Sequence, residues 1–324
     1  MRYSKPHLGY EQQASLLDAR GLDVGCRDQA VETLKRIGYY RLSAYTFPLR
    51  KLDPEDKDGK LRLDEFRDGA CLRDAVALHD SDHRLRKALL GGLQELEVGL
   101  RTRLAYGLGK RDPFGHVNQV GLDSIRCARV DSRPGARAAT FHASWIVEYQ
   151  KLQKQAGREP YVQHFVSRYE GEFPIWVAAE FLTMGSLVSL YDLLEPNLSR
   201  DIAQRLKVSN QNVLYGWLRA LNTLRNHCAH TARIWNRTFV FEPDKINVRM
   251  VEPSLHHLVD VDRRKLYFLA TVLAYLLQTI HPDSRFRNDF VTAMKKHPSV
   301  LGLTPQSAMG FVPDWEKLEI WRIS

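Results

Sequence analysis

Apolar positions recur at three- and four-residue spacing along most of the chain, the period of helices that bury one face. Residues 11–20 and 27–37 both show it, parted by Gly21 and Gly25. Residues 37–49 (IGYYRLSAYTFPL) follow as a dense string of tyrosines and aliphatics that Pro48 brings to a stop. Residues 51–60 (KLDPEDKDGK) read as a charged, turn-rich loop. The spacing then predicts a long helix over 72–108, in which Glu97 and Arg101 stand one turn apart as a buried polar contact or a surface pair. Further helices are predicted around 145–155, 161–169 and 175–194, and helical structure again through 197–239. Residues 124–140, rich in Arg, Gly and Ala and carrying Pro134, read as a loop or lid. Aromatic and β-branched residues around a Pro-Asp turn predict a short β-hairpin over 239–251 (FVFEPDKINVRMV). No internal repeat of fixed period is visible. The expected architecture is all-α: an N-terminal helical extension over residues 1–60 and a helical bundle over 61–324.

The longest uncharged apolar run, residues 267–280 (YFLATVLAYLLQTI), is too short for the roughly 18–20 residues of a membrane span and reads as a buried core helix. The first residues, MRYSKPHLGYEQQ, have neither the apolar core nor the cleavage site of a secretory signal. Four scattered cysteines without a C-x-x-C pair argue against a zinc ribbon or a disulfide framework. A reduced, cytoplasmic protein is expected. Of 324 residues, 44% are hydrophobic and 26% charged, which excludes a disordered chain. The net charge of +9 sets a narrower question, namely where the excess lies. Residues 199–239 hold seven bases and one acid, and residues 124–137 four arginines and one acid, so the remainder is neutral. Phosphate contacts at these two segments would make RNA binding fall steeply with salt.

The first of these segments also carries candidate chemistry. On a helix through residues 216–237, Leu214, Trp217, Leu221, Leu224, Cys228 and Ala232 form an apolar stripe. Opposite them lie Arg219, Asn222, Asn226, His230 and Arg233, with no Glu or Lys, while Arg225 sits on the flank. A merely solvated face usually carries both of the missing types. Metal-free RNA scission requires this set. A neutral imidazole can take the proton of a ribose 2′-hydroxyl, because its pKa lies near working pH. A guanidinium can oppose charge developing on the phosphorane, and an amide can orient either group. His230 equally suits a capping or solvent-facing role, and Asn236 and Arg237 suit phosphate binding or capping. His227 reads as a bystander and Cys228 as a buried hydrophobe.

The same residues carry a resemblance. Arg225-Asn226-His227-Cys228-Ala229-His230 resembles the R-N-x-x-x-H form of the motif of HEPN ribonucleases. Its context, LRNHCAHTARIWNR, is similar to the Abi-like (AbiD/AbiF) family of bacterial abortive-infection proteins. KPHLGYEQQASLLDARGL with LKRIGYYRLSAY, and DHRLRKALLGGLQELEVGLRTRLAY over residues 82–106, resemble that family in the same order. The resemblance implies a HEPN-type bundle acting as a metal-independent endoribonuclease in phage defence or as a toxin, without cofactor. It implies Arg225 and His230 as catalytic residues with Asn226 in support; beside them the polar strip and the residues after it offer Arg219, Asn222, Arg233 and Arg237 as expected RNA contacts. An ideal helix sets Arg225 and His230 about 140° apart. With a single motif in the chain, the resemblance implies a homodimer that joins two motifs in one site. A small RNA or a protein antitoxin is compatible as a further partner. The competing reading is a non-catalytic RNA-binding helical dimer.

Other candidates read more plainly. His79 and His83 stand one turn apart and could clamp a metal with Asp80 or Asp82, but two histidines without further ligands make a surface or interface cluster the expectation. Asp56, Asp58, Gly59 and Glu65 match positions of a calcium loop whose first position would be Pro54, which offers no ligand. Tyr39, Tyr40 and Tyr45 suit core packing better than base stacking, and the His256-His257 pair carries no readable signal.

Overall fold

The computed structural model describes residues 6–56, 61–133 and 135–322. The chain opens with α1 (Tyr10–Ala19) and α2 (Arg27–Ile37), as the periodicity predicts. Gly38, at φ +86°, ends α2 and turns directly into α3 (Tyr39–Thr46). A backbone angle of that sign is cheap only for glycine. Two short antiparallel strands follow, β1 (Arg50–Leu52) and β2 (Arg62–Phe66), with Arg50 opposite Phe66. Arg50–Asp64 at 2.8 Å and Lys51–Glu65 at 2.9 Å tie them across the pair. The hairpin therefore brackets the charged loop and straddles residue 60; Asp58 and Gly59 of the calcium-loop register lie outside the described residues.

Next comes the long helix α4 (Leu72–Gly109), against which much of the molecule packs: α3, α9, α10, α11, α12, α13 and α14 all contact it. The elements after it are α5 (Gly115–Asn118), α6 (Ser124–Ala128), α7 (Phe141–Gln155), α8 (Pro160–Arg168), α9 (Ile175–Phe181), α10 (Met184–Leu193), α11 (Pro196–Arg205), α12 (Gln211–Ala229), α13 (Leu266–Ile280), α14 (Phe286–Lys295) and α15 (Pro305–Met309). Proline opens α8, α11 and α15, where its missing N–H costs nothing. The run over 175–194 is two helices rather than one. Leu182 is extended, and the Thr183 hydroxyl accepts the Ser186 N–H as a cap, which competes with helix continuation.

The β-hairpin expected at 239–251 does not form. Phe239, Ile246 and Val251 are buried one at a time, and the Phe239 N–H donates to the Arg264 carbonyl. No strand ladder develops over these residues. The predicted core helix does form: α13 is buried from Leu266 to Leu277, and no helix among the described residues is long and apolar enough to cross a membrane. The last eighty residues, which add little to the family resemblance, complete the covering of α4. There Phe290 stacks on Trp321 at 5.0 Å and on Phe311 at 6.2 Å.

Close approach to α4 depends on missing side chains. A Cβ at Gly92 would stand 2.7 Å from the Phe286 ring, whereas one at its exposed neighbour Gly91 meets nothing within 4 Å. Gly92→Ala is expected to destabilise the protein by about 1–3 kcal/mol through overpacking. Gly91→Ala should stabilise it by about 0.5–1 kcal/mol through helix propensity. Urea unfolding of the two variants checks the opposite signs.

Candidate functional site

The apolar stripe read from the sequence is the buried face of α12: Leu214, Trp217, Leu221, Leu224 and Cys228 are all in the core. Burial pushes the Cys228 thiol pKa up to about 12, so it behaves as a small hydrophobe. His227 lies off the polar strip, with Nδ1 2.8 Å from the Thr223 carbonyl and its ring edge-on to Phe239.

The helix does not continue to Arg237. His230 is its C-cap, Thr231 takes φ +53°, the Thr231 N–H donates to the Cys228 carbonyl and the Ala232 N–H to that of His227. This pair of bonds is the Schellman ending, with a threonine where glycine is usual. A β-branched residue at positive φ is strained, and a partner must hold it. Arg41 of α3 does so, donating from Nη2 to the Thr231 carbonyl at 2.7 Å and reaching its hydroxyl at 3.5 Å.

Beyond the turn, the chain is fastened by Asp82 of α4, which is fully buried. One carboxylate oxygen accepts the N–H groups of Ile234 (3.2 Å) and Trp235 (2.7 Å). The other accepts the Tyr45 hydroxyl at 2.6 Å and pairs with Arg86. Burial and this carboxylate raise the Tyr45 pKa, keeping the phenol a donor. Asp82 is therefore an interior fastener rather than a metal ligand. His79 instead stands 2.9 Å from Asp80, His83 is exposed, and no cluster of three or more metal-ligating residues occurs among the described residues.

Arg233 and Arg237 are displaced from the strip by the helix ending. Arg233 turns inward and donates to the Ala44 carbonyl at 2.9 Å; burial and the adjacent Arg237 lower its pKa. Arg237 donates to the Arg233 carbonyl at 2.7 Å. Both brace the turn. Arg219 stays exposed over the Phe241 ring, 4.2 Å from its centroid. Asn222 lines a cavity beside α10. Of the three tyrosines, Tyr45 is core, Tyr39 half-buried, and Tyr40 is 90% exposed, against the packing expectation.

Arg225 leans toward α4, where its Nε lies 3.5 Å from buried Glu97; the other Glu97 oxygen is 3.6 Å from Arg101. Arg101 continues to Glu180 at 3.5 Å and to the Leu182 carbonyl at 3.2 Å. The Glu97–Arg101 spacing is thus a buried contact that positions Arg225. Asn226 and His230 are exposed, and among the described residues neither side chain has a hydrogen-bond partner. The local charge excess is smaller in space than in sequence. Glu97, Glu252, Asp192, Glu148 and Asp131 pair with Arg225, Lys207, Arg129, Arg137 and Arg133 respectively. Arg219 remains the exposed cation of the strip.

Of Arg41, Asp82, Arg86 and Glu97, sequence reasoning missed Arg41 and Arg86, weighed Asp82 only as a metal ligand, and noted Glu97 only for its one-turn spacing from Arg101. All four fall inside the quoted strings, and the Asp82–Arg86 spacing of one helical turn was the available signal.

This is a helical-bundle protein whose α12 ends in a braced turn that exposes part of an R-N-x-x-x-H sequence. The chain belongs to the Abi-like protein family, whose sequence model matches residues 32–236. Membership places it among abortive-infection proteins, whose role is defence against phage. No curated protein and no solved structure matches the chain.

Proposed function

We propose that the chain is a metal-independent HEPN endoribonuclease of this defence system, acting on RNA by 2′-hydroxyl attack. The observation that supports it is the division of labour at the end of α12. The backbone and the arginines around the turn are tied down, while Asn226 and His230 face solvent with no side-chain hydrogen-bond partner among the described residues. His230 takes the 2′-hydroxyl proton as the 2′-oxygen bonds to phosphorus. Arg225, held by Glu97, opposes charge on the phosphorane, and Asn226 orients the phosphate or the imidazole. The bond from phosphorus to the 5′-oxygen breaks. The His230 of a second copy, across an isologous contact, protonates that oxygen. The products are a 2′,3′-cyclic phosphate and a 5′-hydroxyl.

The test is incubation with RNA in EDTA, with the new ends identified. Cleavage that persists and leaves cyclic phosphates is expected; activity that vanishes with the metal overturns the mechanism, and binding without cleavage leaves the non-catalytic reading in its place. Binding should also respond to salt. Each phosphate contact contributes a slope of about −0.7 in log K against log salt for single strands. With Arg219 and Arg225 as contacts in each copy, a dimer should show about −3. A titration giving a flat response counts against them.

A further inference from the structure

On the same side of α12 as Asn226 and His230, a cavity of about 430 Å³ opens between residues 131–133 and 135–137, α7, α10 and α12. Its volume falls in the usual range for small-molecule sites. Tyr215 and Asn222 of α12 line it, and Asn222 stands one turn, about 6 Å, before Asn226. Among the described residues the Asn222 amide has no hydrogen-bond partner. It faces Gly185, where an added Cβ would lie 3.5 Å from Asn222 Nδ2, so the glycine leaves the space before the amide open.

Arg133 forms a wall of a particular kind. Its guanidinium makes two hydrogen bonds of 2.7 Å to buried Asp131 and lies 4.6 Å from the centroid of the Phe141 ring. The Asp131 carboxyl is held well below the usual carboxylate range by that arginine. The result is a fixed cationic plane already neutralised by its partner. Glu148 likewise neutralises Arg137, and Asp192 adds a further carboxylate to the lining. A free phosphate is poorly served here. A neutral, flat group with hydrogen-bonding edges is well served, stacking on aromatic or guanidinium planes while an amide reads its edge.

We propose that this cavity takes one unstacked nucleobase of the RNA whose scissile phosphate lies at Arg225 and His230, and that Asn222 reads that base. The inference rests on the ribonuclease reading for its substrate, but its test does not rest on catalysis. His230→Ala protein is titrated with short single-stranded RNAs differing at one base, followed by fluorescence anisotropy, and wild-type cleavage sites are mapped on the same RNAs. The expected result is discrimination of about tenfold or more for one base at a fixed position. Asn222→Ala, added to His230→Ala, should reduce this to within about threefold. Asn222→Asp, which keeps the shape but presents only acceptors, should shift preference toward bases bearing an amino group. Circular dichroism confirms that both variants fold. Equal binding of all bases, or discrimination unchanged in both variants, overturns the cavity assignment even if wild-type protein cleaves RNA. Discriminating binding without wild-type cleavage supports the cavity and overturns the catalytic reading; no RNA binding overturns both.

Discussion

His230→Ala is expected to lower RNA cleavage by about 10²- to 10⁴-fold, the usual worth of a positioned general acid–base. It should scarcely change the unfolding midpoint. The side chain is exposed at the C-cap, and its backbone N–H bond to the Asn226 carbonyl survives the substitution. Surface changes of this kind usually cost within about 0.5 kcal/mol. The pairing of lost activity with intact stability separates a catalytic histidine from a capping one. Overexpression gives a cellular version: wild-type protein should arrest growth and His230→Ala should relieve the arrest. Full cleavage by the variant would remove His230 from the mechanism. Arg225→Lys should lose most activity too, because an ammonium cannot reproduce the planar fork that holds phosphate oxygens. That variant also retains the charge beside Glu97, so loss of cleavage cannot be ascribed to an unpaired carboxylate.

The second large effect concerns Asp82. Asp82→Ala leaves Arg86 buried without its counter-charge and strands the N–H groups of Ile234 and Trp235. Removing one member of a buried pair costs about 3–5 kcal/mol, and each orphaned donor adds to it. A fall of that size in urea-unfolding free energy is expected. Arg86→Met should cost less, because Asp82 retains the Tyr45 hydroxyl and two backbone N–H donors. Equal losses in the two variants would show that the ion pair alone matters and that fastening of the 234–235 backbone does not.

The contrast between these residues explains what could be read in advance. The polar strip of α12 and its buried stripe follow from periodicity within a single helix, so Asn222, Asn226 and Cys228 are found where spacing puts them. The end of α12 is another matter. Neither glycine nor proline marks it; Thr231 is held at a costly angle by Arg41, nearly two hundred residues earlier, which donates to its carbonyl and hydroxyl. Arg233 was read onto the strip for that reason alone, whereas its side chain turns to the Ala44 carbonyl. The hairpin failed similarly: residues 239–251 have strand-like composition, but the strands that pair are 50–52 and 62–66, joined by cross-strand charges. Local patterns reveal faces; they do not reveal which distant donor ends an element.

The two carboxylates that hold the end of α12 lie on one helix. Asp82 and Glu97 are fifteen residues apart on α4, a separation of about 22 Å. The chain they hold runs only from Arg225 to Ile234, with its first residues still helical. With residues 225–229 helical and the rest fully extended, that stretch reaches at most about 23 Å, so it lies between its two moorings with little slack beyond the length of the Arg225 side chain. Its length is therefore as much a specification as its chemistry. Removing a single residue between Thr231 and Ile234 would have to slide α12 along α4 or unfasten one mooring, whereas the same deletion in a surface loop would simply be absorbed.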